Sequence, residues 1–110
     1  MVQNDTLQIE VEDSLDEHNW QTTTITCHGR LVGETAKKLD EVVKPLIHRG
    51  GHILIDLTDV GYMDSSGLGS LVALKVSAIN KGMCKLELVN LSPRVKQLLS
   101  LTNLMTLFSQ

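Results

Sequence analysis

The run HILIDL at residues 52–57 and the stretch YMDSSGLGSLVALK at residues 62–75 are four residues apart, and together they constrain this chain more than any other feature. HILIDL is short, apolar and bounded by turn residues, the pattern of a central buried strand. Leu54, in its middle, is therefore expected inside, where an unpaired carboxylate would unfold the domain. From the serines onward the spacing turns helical, with Leu68, Leu71 and Leu74 recurring. A strand must thus run almost directly into a helix, with two serines and two glycines at the junction.

Around this unit the periodicity places the other elements. TLQIEVED alternates Leu7, Ile9 and Val11 with polar partners, as a half-buried strand does, and WQTTTITCHG is rich in β-branched residues, so the two read as a hairpin. Ile25 and Cys27 fall on its inner face. Ala36, Leu39, Val42, Val43, Leu46 and Ile47 recur at helical spacing, with Glu34 and Thr35 at the start. Pro45 removes a hydrogen bond from that helix, so a kink or an end is predicted near Lys44. CKLELVNL reads as another strand, and SPRVKQLLSLTN as a helix with Ser92 at the N-cap and Pro93 in its first turn. LMTLF is read as a short edge strand. The order β-β-α-β-α-β-α-β gives one α/β domain over residues 1–110 with a mixed sheet.

Composition excludes several functions. Aromatic residues make up 3% of the chain, so the core is aliphatic and a cavity shaped for an aromatic cofactor is not expected. Residues 1–29 hold six acidic side chains and no Lys or Arg, whereas the remainder has ten basic against seven acidic residues. The basic residues are scattered, which argues against nucleic-acid binding. Cys27 and Cys84 stand far apart and His18, His28, His48 and His52 lack paired helical spacing, so neither a metal site nor a disulfide framework is expected. No apolar run is long enough to insert in a membrane, and a cytoplasmic location is expected.

The helix after the serines carries an apolar arc of roughly 200°, wider than one sheet face requires. It is either sandwiched or exposed to a partner. Lys75 falls within that arc, and reads either as a stem over apolar neighbours or as a charge at a partner's rim. A hydroxyl at an N-cap contributes about 1 kcal/mol, which explains one serine without any function. It leaves Gly67 and Gly69 unexplained, since each lowers helix propensity by about 1 kcal/mol. Free amides at a helix start also favour an added phosphate, so a cap and a phosphorylation switch stand level on these residues alone. A nucleophilic serine would need a base, and none is near in sequence, so no enzyme activity is expected.

ILIDLTDVGYMDSSGLGSLVALK resembles the signature of the STAS domain family, the anti-sigma factor antagonists and their relatives. LELVNLSPRVKQLLSLTNLMTLF is similar to that family's C-terminal half. The resemblance implies a mostly parallel sheet begun by an antiparallel hairpin, with helices mainly on one face. It implies partner switching: an unmodified antagonist binds a serine-kinase anti-sigma factor, phosphorylation releases it, and a phosphatase resets the cycle. Carried onto this chain, Ser65 is the phosphoacceptor. Asp64, Ser66, Gly67, Leu68, Leu71 and Lys75 are then expected at the partner surface. No cofactor is implied, the ATP being the kinase's own, and homo-oligomers are left open. GRLV at residues 29–32 departs from the family's GELD-like loop, with Arg30 and Val32 at its acidic positions. That departure keeps a second reading in view, a non-switching STAS subunit of a transporter or signalling scaffold.

Overall fold

The computed structural model describes residues 6–109; of the expected domain, residues 1–5 and 110 lie outside the description. Four strands, β1 (Leu7–Leu15), β2 (Gln21–Leu31), β3 (Gly51–Met63) and β4 (Cys84–Val89), form one sheet in chain order. β1 pairs antiparallel with β2, and β2–β3 and β3–β4 pair parallel. The helices are α1 (Gly33–Arg49), α2 (Ser65–Lys81), α3 (Pro93–Leu101) and α4 (Met105–Phe108). The mixed sheet with its antiparallel start agrees with the sequence reading.

Alternation along the strands sets which face is covered. Thr23, Ile25 and Cys27 of β2 and Ile53, Ile55 and Leu57 of β3 are buried. Ile25, Cys27, Ile53, Ile55 and Leu57 meet Leu39, Val43 and Ile47 of α1 and Leu68, Leu71 and Leu74 of α2 in one aliphatic core. The intervening Thr22, Thr24, Thr26, His52, Leu54 and Asp56 are half-buried on the other, polar face. Leu54 is thus displaced from the interior it was expected to occupy, because β3 is covered on one face only. Ile55, fully buried, is where a carboxylate would meet the core.

Two further expectations are corrected. Of the two outcomes expected near Lys44, the helix end does not occur: α1 passes through Pro45 and continues to Arg49. Proline inside a helix costs about 3 kcal/mol. Beyond it Ile47 is buried and Leu46 packs against the core, and each such side chain returns about 1.5–3 kcal/mol when fully covered. LMTLF forms the short helix α4 rather than an edge strand. Leu104, Leu107 and Phe108 are half-buried while Met105 and Thr106 are exposed, the i, i+3, i+4 spacing of a helix rather than the alternation of a strand.

Burial pushes the Cys27 thiol up to about 12, so it stays protonated and unreactive at neutral pH. Cys84 is half-buried and its thiol is raised by the same cause.

Candidate functional site

β2 and β3 run parallel, so both end at the same edge of the sheet, and α1 and α2 begin there side by side. Register shifts after Thr26 and after Gly29 bring Arg30 opposite Tyr62 and Leu31 opposite Met63. Outside the carboxyl ends of parallel strands is where α/β folds place their sites. Here the two helix starts enclose a cleft of about 410 Å³ lined by Arg30, Val32, Gly33, Glu34, Asp64 and Ser66.

The start of α1 is closed by Thr35. Its hydroxyl donates to the Arg30 carbonyl at 2.6 Å and accepts from the Val32 amide at 3.0 Å. This holds the 29–32 segment against the first turn of the helix.

The start of α2 is closed by Asp64, whose Oδ1 accepts from the Gly67 amide at 2.9 Å. A serine was expected as a cap; the carboxylate one position earlier takes that role. Ser65 and Ser66 therefore occupy the first two helical positions, both exposed. Amides at those positions have no intrahelical acceptor, and the helix dipole makes that end partly positive.

The two glycines serve different ends. A Cβ on Gly67 would stand 2.0 Å from the Leu31 carbonyl oxygen, so the residue is needed for close packing of α2 on the end of β2. That same carbonyl accepts from the Asp64 amide at 3.4 Å. A Cβ on Gly69 would meet nothing within 4 Å. Gly69 is exposed, and its missing side chain leaves bare helix surface one turn beyond Ser65.

Of the residues expected at a partner surface, Ser65 and Ser66 lie at the surface and Asp64 is half-exposed. Leu68, Leu71 and Lys75 are turned inward, at 6%, 0% and 2% exposure. In place of a rim charge, Lys75 is an interior lysine whose Nζ donates to the Leu86 carbonyl of β4 at 2.6 Å. Burial pushes its amine below the usual lysine range. The wide apolar arc is resolved accordingly: most of it packs inside, and a fringe of Val76 and Ile79 stays exposed.

Sequence reasoning missed Tyr62 and Arg94 as parts of this site. The Arg30 guanidinium lies 4.4 Å from the centroid of the Tyr62 ring, and that of Arg94 lies 5.6 Å from it. Arg94 sits in the first turn of α3, whose cap Ser92 donates to the Val60 carbonyl at 2.8 Å and so ties that helix to β3. The available signal was the position of Tyr62, two residues before the capping aspartate on the outward side of the strand end.

No imidazole lines the cleft to act as a base for either serine. Among the described residues, no three His, Cys, Asp or Glu side chains gather as metal ligands. Nor, among them, is any helix long and apolar enough to cross a membrane.

The STAS domain family model matches residues 6–109 of this chain. The chain belongs to the STAS domain family. It is 35% identical over 77 residues to an anti-sigma-B factor antagonist of Staphylococcus epidermidis, covering 69% of this chain and 70% of that protein. A similar match, 33% over 93 residues, is to an anti-sigma-B factor antagonist of Staphylococcus aureus (strain NCTC 8325 / PS 47), covering 78% and 85%. Its fold resembles the crystal structure of an anti-sigma factor antagonist from Mycobacterium paratuberculosis, with a TM-score of 0.78 and 22% identity over 98% of this chain and 87% of that one. The STAS fold is shared as well with SpoIIAA of Bacillus in its phosphorylated form, at a TM-score of 0.68 and 20% identity over 88% and 85%.

Proposed function

We propose that this STAS protein is an anti-sigma factor antagonist that holds a serine-kinase anti-sigma factor while Ser65 is unmodified and releases it when Ser65 is phosphorylated. The observation that carries the reading is an exposed serine at the first position of a helix already capped by its neighbour Asp64. The cap does not consume the Ser65 hydroxyl, so phosphorylation costs the fold no capping bond. Support also comes from the staphylococcal relatives, which are named anti-sigma-B factor antagonists.

The mechanism follows from charge. A phosphoserine adds about −1.5 to −2 charges at neutral pH. The free amides at the start of α2 tolerate a dianion locally, so the domain stays folded. A partner lying over Ser65 and the bare surface at Gly69 must instead desolvate that dianion beside the Asp64 carboxylate. The penalty is several kcal/mol, roughly a thousandfold in affinity. A phosphatase then restores the binding form.

The test is capture from cells of the source organism with Ser65→Ala as bait, followed by phosphate mapping on the wild-type chain and calorimetry with the recovered protein. A small serine kinase that phosphorylates Ser65, binds Ser65→Ala tightly and binds Ser65→Asp weakly is the expected result. Phosphate on another residue, or equal affinity for Ser65→Asp and wild type, removes the switch. A transporter or a large homomeric complex recovered with unmodified chain would establish the interaction-module reading in its place.

A further inference from the structure

We infer that Arg30, Tyr62 and Arg94 form a cationic docking strip beside the serines, and that it selects a partner whose facing surface carries carboxylates. The inference rests on the partner-switching reading and adds the chemistry of the partner's surface. Three elements converge on one ring: Arg30 from the end of β2, Tyr62 from the end of β3 and Arg94 from the start of α3. The ladder register sets Arg30 directly across from Tyr62. Arg94 Nη2 also reaches the Met63 carbonyl at 3.5 Å and its Nη1 the Gln97 Oε1 at 3.4 Å.

Two guanidiniums gathered at one aromatic ring repel one another, and the ring's negative face offsets part of that repulsion. Tyr62 is 37% exposed, so it is open to an approaching protein. Arg30 lines the cleft that holds Asp64 and Ser66, and it also lines the neighbouring concavity of about 610 Å³ with Tyr62, His28 and Asp59. The strip is therefore continuous with the serine site. Glu34 and Asp64 in the first concavity and Asp59 in the second border the two arginines with negative charge, which leaves the ring of Tyr62 as the place where the two guanidiniums gather. Flat guanidiniums match carboxylates in two-point geometry, and Tyr and Arg are the residues that most often dominate binding at protein interfaces. The occupant that fits is an acidic face of the kinase, with Asp or Glu side chains set over Tyr62.

The experiment uses the full chain and the kinase recovered with Ser65→Ala. Affinity is measured at low and high NaCl for wild type, Arg94→Glu, Arg30→Glu, and the charge-neutral Arg94→Gln and Arg30→Gln, with thermal melting of each. Wild-type affinity should fall with salt. Each glutamate variant should lose roughly tenfold or more at low salt and show a flatter salt dependence. Replacing a facing acid of the kinase by lysine should restore binding to Arg94→Glu. If a glutamate variant melts early, its glutamine counterpart carries the test. A kinase that phosphorylates Ser65 yet binds all four variants like wild type overturns the strip and leaves the switch standing. A recovered partner that never modifies Ser65 but loses the glutamate variants in a salt-dependent way overturns the switch and leaves the strip standing. If no partner is recovered, both fall.

Discussion

The Asp64 carboxylate accepts the Gly67 amide at 2.9 Å, across the two serines that open α2. The cap and the modifiable hydroxyl are thus different residues. Asp64→Ala should cost about 1 kcal/mol in chemical denaturation, while Asp64→Asn or Asp64→Ser should keep most of that stability. Ser66→Ala, which removes no cap, should change stability by less than about 0.5 kcal/mol. A larger loss for Ser66→Ala than for Asp64→Ala would reverse the assignment of the cap.

Gly67 and Gly69 should respond to alanine with opposite signs. At Gly67 the new methyl collides with the Leu31 carbonyl, which belongs to the sheet and cannot swing aside. A loss of about 2 kcal/mol or more is expected. At Gly69 the methyl enters open space, so the gain in helix propensity should stabilise the domain by up to about 1 kcal/mol. Melting temperatures of the two single variants decide the matter.

Lys75 spends its length in the core and its amine on a carbonyl of β4. Lys75→Ala should cost about 2–4 kcal/mol through lost packing, and Lys75→Met, which keeps the stem, should recover most of that. Because the folded-state pKa is lowered, the unfolded chain holds this proton over a range where the native one has released it. Stability therefore rises with pH from the depressed native value up to the ordinary lysine pKa. Denaturation of wild type and Lys75→Met across the alkaline range should show that rise in wild type alone.

His28 bridges three strands on the open face, its Nδ1 hydrogen-bonded to Asp59 of β3 at 2.6 Å and its Nε2 3.3 Å from Glu10 of β1. The hydrogen bond to Asp59, helped by both carboxylates' charge, raises its pKa. The stabilisation is fully present below the ordinary histidine pKa and is lost as pH rises through the raised native one. The difference in melting temperature between wild type and His28→Gln should be larger at pH 6 than at pH 8.5. Equal differences at both would show that the bridge carries no linked proton.

What the sequence made legible was local. The β3–α2 junction, the Ser92 cap with Pro93 behind it and the C-terminal end of α2 at Gly82 follow from residues within a turn of one another. The errors came where a distant element decides. Leu54 looks interior because an apolar run does not reveal how many faces of a sheet are covered. Pro45 left a kink and a helix end both open, and only Leu46 and Ile47, anchored in the core beyond it, exclude the end. Lys75 looks like a surface charge because the Leu86 carbonyl that receives it is eleven residues away on another element. The serine site was readable as a motif, whereas Tyr62 and Arg94 joined it only through the register of β2 on β3 and the docking of α3.

β1 is an outer strand of the sheet, and part of its backbone is already occupied, with the Leu7 carbonyl accepting from Lys38 Nζ at 2.8 Å. Farther along, the strand carries Glu10, Glu12 and Asp13. Were two copies to extend one another's sheets through this margin, carboxylates of one would be brought up against carboxylates of the other. Natural sheets use charge in this way to keep open margins from templating aggregates. The acidic bias of the first 29 residues thus acts as a colloidal guard, and its strength depends on acidity. Asp13, whose carboxyl is held below the usual range chiefly by the Thr23 hydroxyl and also by Arg49, keeps its charge further into acid than an ordinary carboxylate does. Crowded, acidic conditions are where this margin would begin to stick.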